Sequence, residues 1–174
     1  MADDRKAFQS PIGTAHWPSL NRTETYKGKD TGNYTLKLIL EGAALEKVKA
    51  EVDEFLVETY GTRKAPWAKS PFKLTEPKEG SGESPRTFIT FRMKAVGNDG
   101  EPRHVALFDA KGHPVKRKVN LGSGSLVRVN GSMSASQDEP GVAFYMDSVQ
   151  IIKLVEYQPP SPFGPVDDPD GFVG

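Results

Sequence analysis

Residues 33–40, NYTLKLIL, alternate apolar and polar side chains, which puts Tyr34, Leu36, Leu38 and Leu40 on one face and Thr35 and Lys37 on the other. Directly after this run the period changes. In AALEKVKAEVDEFLVETYG, Leu45, Val48, Val52, Phe55 and Leu56 recur at helical spacing, charges fill the remaining positions and Gly61 offers a stop, so the pattern predicts one α-helix over about 43–60. The other structured stretches, at 10–20, 86–96, 104–109, 125–135 and 141–155, read as strands. Asn98-Asp99-Gly100, Lys111-Gly112 and Asp138-Glu139-Pro140-Gly141 mark turns between them. Ser10 to Leu20, with Gly13 and Pro18 inside it, reads as a twisted or edge strand.

One helix among five or six strands predicts a mainly β fold, a small and strongly curved antiparallel sheet or barrel. The OB fold is the common design of that kind that also takes oligonucleotides. At 174 residues the chain is most simply one such domain, over 1–157, followed by a flexible acidic tail at 158–174 where Pro, Gly, Ser and Asp dominate. Residues 62–84, with three prolines and the run EGSGES, read as a long irregular connection of the functional or mobile kind. No cysteine is present, which excludes disulfides, thiolate metal sites and cysteine nucleophiles and fits a reducing cytosol. No run approaches the length of a membrane span, and MADDRKAF has no hydrophobic signal region.

The net charge of zero conceals a strong segregation. Residues 60–128 carry 14 Lys and Arg against 6 Asp and Glu, whereas residues 156–174 carry four acids and no base. A basic middle with an acidic end suggests an anionic partner and a tail able to mask the basic region.

The most informative strand is RTFITFRMKA, residues 86–95. Alternation places Thr87, Ile89, Phe91, Met93 and Ala95 on a core face, and Arg86, Phe88, Thr90, Arg92 and Lys94 on a face expected to meet water. An aromatic ring among three cations suits a single-strand platform, where bases stack on rings and cations neutralise phosphates. The long connection interleaves Trp67 and Phe72 with Lys64, Lys69 and Lys73, and the run Lys116, Arg117, Lys118 stands beside a glycine turn. Arg128 projects from the polar face of its strand, and Trp17 and Tyr34 are further stacking candidates that compete with a place in the core.

A catalytic reading has less to stand on. The three histidines, His16, His104 and His113, lack metal-ligand spacing, and GSGSLVRV lacks the lysine and helix start of a phosphate loop. The best carboxylate set, Asp99, Glu101 and Asp109, would suit a metal-dependent nuclease, although Asp99 in an NDG turn is expected for backbone reasons. A protein-interaction barrel without nucleic acid is the third alternative. The residues favour a binding module with no cofactor, no metal and no catalytic residue.

GSGSLVRVNGSMSASQ followed by GVAFYMDSVQIIKLVEY, the segment FDAKGHPV, and NYTLKLILEG with its following helix resemble phage-encoded single-stranded DNA-binding proteins. The resemblance spans roughly residues 12–157. It implies an OB-type core that binds single strands with little sequence preference, a role in phage replication and recombination, and residence in the bacterial host cytoplasm. It also implies that the acidic tail, through Asp167, Asp168, Asp170 and Phe172, contacts replication or recombination proteins. Here Phe172 is followed by Val173 and Gly174, whereas the bacterial type of tail ends on phenylalanine.

Overall fold

The structure, a computed structural model, describes residues 4–61, 70–135 and 141–156. Among the described residues, ten strands and one helix follow the order β1 (Asp4–Gln9), β2 (Gly13–Ser19), β3 (Thr25–Tyr26), β4 (Lys29–Asp30), β5 (Asn33–Ile39), α1 (Gly42–Tyr60), β6 (Lys73–Leu74), β7 (Thr87–Lys94), β8 (Ala106–Phe108), β9 (Leu126–Ala135) and β10 (Val142–Lys153). Strands β9, β2, β5, β7 and β10 pair in that sequence, and β10 returns to β9, closing a five-stranded barrel. The β7–β10 contact is parallel, Tyr145 lying beside Arg92, while the other barrel pairs are antiparallel. The expected curved sheet is therefore a closed OB-type barrel, with β1 added along β9, β8 along β10 and the short β6 along β7.

The alternating patterns translate directly into this packing. Leu36, Leu38, Ile89 and Phe91 are wholly buried and face one another across β5 and β7 in the register Leu36–Phe91 and Leu38–Ile89. Val127, Val129 and Met133 from β9 and Phe144, Met146 and Val149 from β10 complete the interior. Phe8, Phe91 and Phe144 form an aromatic cluster with ring centres 5.2–6.2 Å apart, Phe8 and Phe91 stacked and Phe144 tilted at 56° to both, and such packing adds to simple area burial. Helix α1 contributes Val48, Val52, Phe55 and Leu56 to the same core. It stops at Gly61, whose left-handed backbone (φ 75°) lets its N–H donate to the Val57 carbonyl.

Three expectations change. Strand β2 is a barrel strand paired on both sides rather than an edge, and its twist appears as a register break between His16 and Ser19, around Pro18. Residues 73–74 within the presumed irregular connection pair with β7. The N-terminal strand β1 has no counterpart in the sequence reading, because Phe8 is its one large apolar side chain and Arg5 and Lys6 disguise the alternation.

Candidate nucleic-acid interface

The outward face of β5 and β7 is set by the same register that builds the core. Ile39 lies opposite Phe88, Lys37 opposite Thr90, Thr35 opposite Arg92 and Asn33 opposite Lys94. Strand β2 extends the row, with His16 opposite Lys37. In OB folds this surface of the second and third barrel strands, flanked by the first and last loops, is where oligonucleotides lie.

At the β2 end, four side chains form one unit. His16 and Trp17 stack at 4.6 Å between ring centres and 20° between planes. The Lys37 ammonium lies 4.9 Å from the centre of the Trp17 ring and 5.2 Å from that of Phe88, within range for cation–π attraction to both. Trp17 is 65% exposed, and its backbone is left-handed at φ 46°. A bulky residue in that region is strained, and such strain persists only where surroundings impose it, frequently at binding sites. Here the Trp17 N–H donates to Ser123 Oγ at 2.9 Å, which ties the tryptophan to the loop ahead of β9.

An open groove of about 970 Å³ runs beside this unit, bounded by His16, Trp17, the start of α1, residues 75–78 and Arg86. Arg86 lines it while paired with Glu41. Burial holds the His16 imidazole below its ordinary range, and the positive charges of Lys37 and Arg86 press it in the same direction. The histidine is thus biased toward the neutral ring, which offers a flat stacking surface without adding charge.

The sequence-derived candidates separate into distinct groups. Trp17, Phe88 and Arg86 come together at the β2 end of the face, and Arg92 and Lys94 stand exposed at its other end. Phe88 has the expected outward parity but not the expected exposure. It is 7% exposed, because Ile39, Lys37, His16 and the paired β6 surround it. Its ring is therefore a buried support for the Lys37 and Trp17 unit, a correction to its place as a water-facing platform. Tyr34 is a second correction: it packs on the interior face opposite Met93, also 7% exposed, and has no face to offer a base.

Arg128 stands apart, in a cleft with Phe108, Asn130 and Ser148, where Nε and Nη2 donate to Gln150 Oε1 at 3.0 and 2.6 Å. Lys116, Arg117 and Lys118 are exposed on the segment between β8 and β9, with Arg117 paired to Glu156 at 2.9 Å. That segment continues to Val119 and Asn120, which accept hydrogen bonds from Asn21, and so reaches the groove of about 270 Å³ that also borders Trp17. Lys64, Trp67, Lys69, Asp167, Asp168, Asp170 and Phe172 lie outside the described residues.

His16 and Lys37 were not among the expected contacts. The parity of NYTLKLIL already turned Lys37 outward; its position over two rings depends on β2 arriving alongside, which no local pattern encodes. Tyr26, also unforeseen, is 64% exposed on the β3–β4 hairpin in the first barrel loop, with Lys27 Nζ 5.4 Å from its ring centre. The nuclease set is not assembled. Asp99 accepts from the Glu101 N–H and Asp109 from those of Lys111 and His113, both in turns, and no group of three metal-ligating side chains converges among the described residues.

The same architecture recurs in solved structures. The gp2.5 single-stranded DNA binding protein encoded by bacteriophage T7 superposes with a TM-score of 0.58 at 20% identity, over 98% of this chain and 100% of that one. The chain has the fold of phage single-stranded DNA-binding proteins. The bacteriophage Enc34 protein is similar too, at TM-score 0.53 and 12% identity for a C-terminal truncation (85% and 86% of the two chains). Its complex with single-stranded DNA matches at 0.51 and 14% identity over 90% and 88%. No family model and no curated protein matches the sequence.

Proposed function

We propose that this protein binds single-stranded DNA, without catalysing a reaction, across the outer face of β2, β5 and β7. The observation that carries this reading is the exposed Trp17 ring on a left-handed backbone, with His16 stacked on it and Lys37 held over it, on the face where OB barrels take oligonucleotides. A base stacks on such a surface for about 1–3 kcal/mol with little regard to its identity. Lys37, Arg86, Arg92 and Lys94 supply positive charge along the same face for the backbone. The likeness to phage proteins named as single-stranded DNA-binding supports a role in phage replication or recombination, in the host cytoplasm. The acidic tail residues Asp167, Asp168, Asp170 and Phe172 are proposed to meet partner proteins of that process and to compete with DNA for the basic face.

The test is a titration with oligo-dT, following tryptophan fluorescence at several salt concentrations. Binding that quenches fluorescence and weakens steeply with salt is expected, each neutralised phosphate contributing about 0.7 to the slope of log K against log salt. Absence of binding at low salt refutes the reading, and equal affinity for duplex replaces it with general polyanion binding.

A further inference from the structure

A second cluster lies at the opposite end of the same face and draws on elements added to the barrel. Arg5 from β1, Arg92 and Lys94 from β7, Arg103 from the turn after β7 and Tyr145 from β10 border a pocket of about 320 Å³. Each arginine recruited from outside the barrel is positioned. The Arg5 guanidinium lies 4.8 Å from the centre of the Tyr145 ring, and Tyr145 is in turn the strand neighbour of Arg92. The Arg103 N–H donates to the Ala95 carbonyl at 2.7 Å, and its side chain crosses directly over Gly97. A Cβ at residue 97 would stand 2.3 Å from Arg103 Nε, so any residue but glycine would displace the guanidinium.

Four cations therefore converge on one pocket whose acidic lining is Asp147. None of the four makes a salt bridge among the described residues, although Lys6, Lys49, Arg86 and Arg117 all do. Converging like charges repel, and four of them beside one carboxylate, with no ion pair among the described residues, suit a site whose ligand brings the negative charge. Two guanidinium forks favour a planar or tetrahedral oxyanion, and phosphate fits best because a fork can hold two of its oxygens.

We infer that this pocket is a second subsite, binding phosphodiester groups of the single strand whose bases stack at Trp17. The inference rests on the proposed function, and it adds Arg5, Arg103 and Gly97 to the interface. From Phe88 to Lys94 the strand advances roughly 20 Å at about 3.3 Å per residue, so the two subsites engage separate nucleotides of one strand. Short oligonucleotides reach one subsite and longer ones reach both.

The experiment compares the full-length chain with its R5A/R103A and R5K/R103K variants, using oligo-dT of increasing length. For R5A/R103A, the salt slope with long oligonucleotides is expected to fall by about 1.4, corresponding to two phosphate contacts. The tryptophan quench at saturation should persist, because the Trp17 end is intact, and a trinucleotide should bind the variant as it binds the wild type. R5K/R103K retains the charges and should restore most of the slope, which also guards against a folding defect in the alanine pair. An unchanged slope and affinity in R5A/R103A, with the wild type binding normally, overturns the subsite and leaves the pocket to another anion, such as an acidic protein segment. If the wild type itself fails to quench, it is the single-strand reading that fails, and this inference falls with it.

Discussion

Lys37 holds its ammonium within reach of two rings, 4.9 Å from the centre of exposed Trp17 and 5.2 Å from that of buried Phe88. Trp17 comes from β2, Lys37 from β5 and Phe88 from β7, so three barrel strands must be in register for the unit to exist. The inner ring anchors the cation, the cation steadies the outer ring, and the outer ring meets solvent.

Trp17→Ala should weaken oligo-dT binding by about 1–3 kcal/mol, the usual worth of one stacked base. Because the side chain is 65% exposed, the melting temperature should barely change. Lys37→Met keeps an apolar stem near the rings but removes the charge, so it should reduce the salt slope by about 0.7 if Lys37 meets one phosphate. Fluorescence titration is unsuitable for the Trp17 variant, and labelled-oligonucleotide anisotropy measures both. Unchanged affinity in Trp17→Ala would remove the ring from the interface.

Phe88→Ala should act on the fold before it acts on DNA. Emptying a buried phenylalanine site costs about 3–5 kcal/mol, readable in a urea melt. Phe88→Leu leaves less of a cavity and should fold, holding affinity within a few fold of the wild type. A folded Phe88→Leu that binds as weakly as Trp17→Ala would instead make the ring itself a contact for a base.

The contrast between Trp17, Tyr34 and Phe88 shows what local pattern conveys. The parity of 33–40 and 86–95 determined which residues face inward, and the barrel obeys it at Leu36, Leu38, Ile89 and Phe91. Parity does not determine what covers the outer face. Phe88 is covered by β2 and β6, one distant in sequence and the other only two residues long. Trp17 escapes the core because the chain turns left-handed there, next to Pro18, breaking the alternation that would have buried it. The parallel β7–β10 closure and the role of Arg5 are likewise products of long-range assembly. Basic character was legible as a sum, but its division into two ends of one face was not.

His16 predicts a pH dependence of defined sign. Its folded value lies below the ordinary 6.5, through burial first and then the charges of Lys37 and Arg86. Between the folded and unfolded values the unfolded chain binds more protons, so stability rises with pH across that window. The stabilisation from keeping the ring neutral is fully present above about pH 6.5 and is lost as the pH falls through the folded value. Thermal melts across this range should show a smaller acid-induced decline in His16→Gln than in the wild type. Identical declines would mean that the imidazole titrates as freely in the folded chain as in the unfolded one.

Ser123 offers a way to disturb the stacking unit without touching a ring. Its hydroxyl accepts the Trp17 N–H at 2.9 Å, and that contact lies at the surface, where water can replace it. Ser123→Ala should therefore cost little stability, about 0.5–1.5 kcal/mol at most for a lost hydrogen bond. Without the acceptor, the left-handed backbone at Trp17 loses a restraint, and the indole samples orientations away from His16 and Lys37. The near-ultraviolet circular dichroism of the tryptophan should diminish, and oligo-dT affinity should fall to a level between wild type and Trp17→Ala. Ser123→Thr retains the hydroxyl and should recover both signals. If Ser123→Ala leaves dichroism and affinity unchanged, the Trp17 conformation is imposed by Pro18 and the strand register alone, and the loop ahead of β9 has no part in presenting the ring.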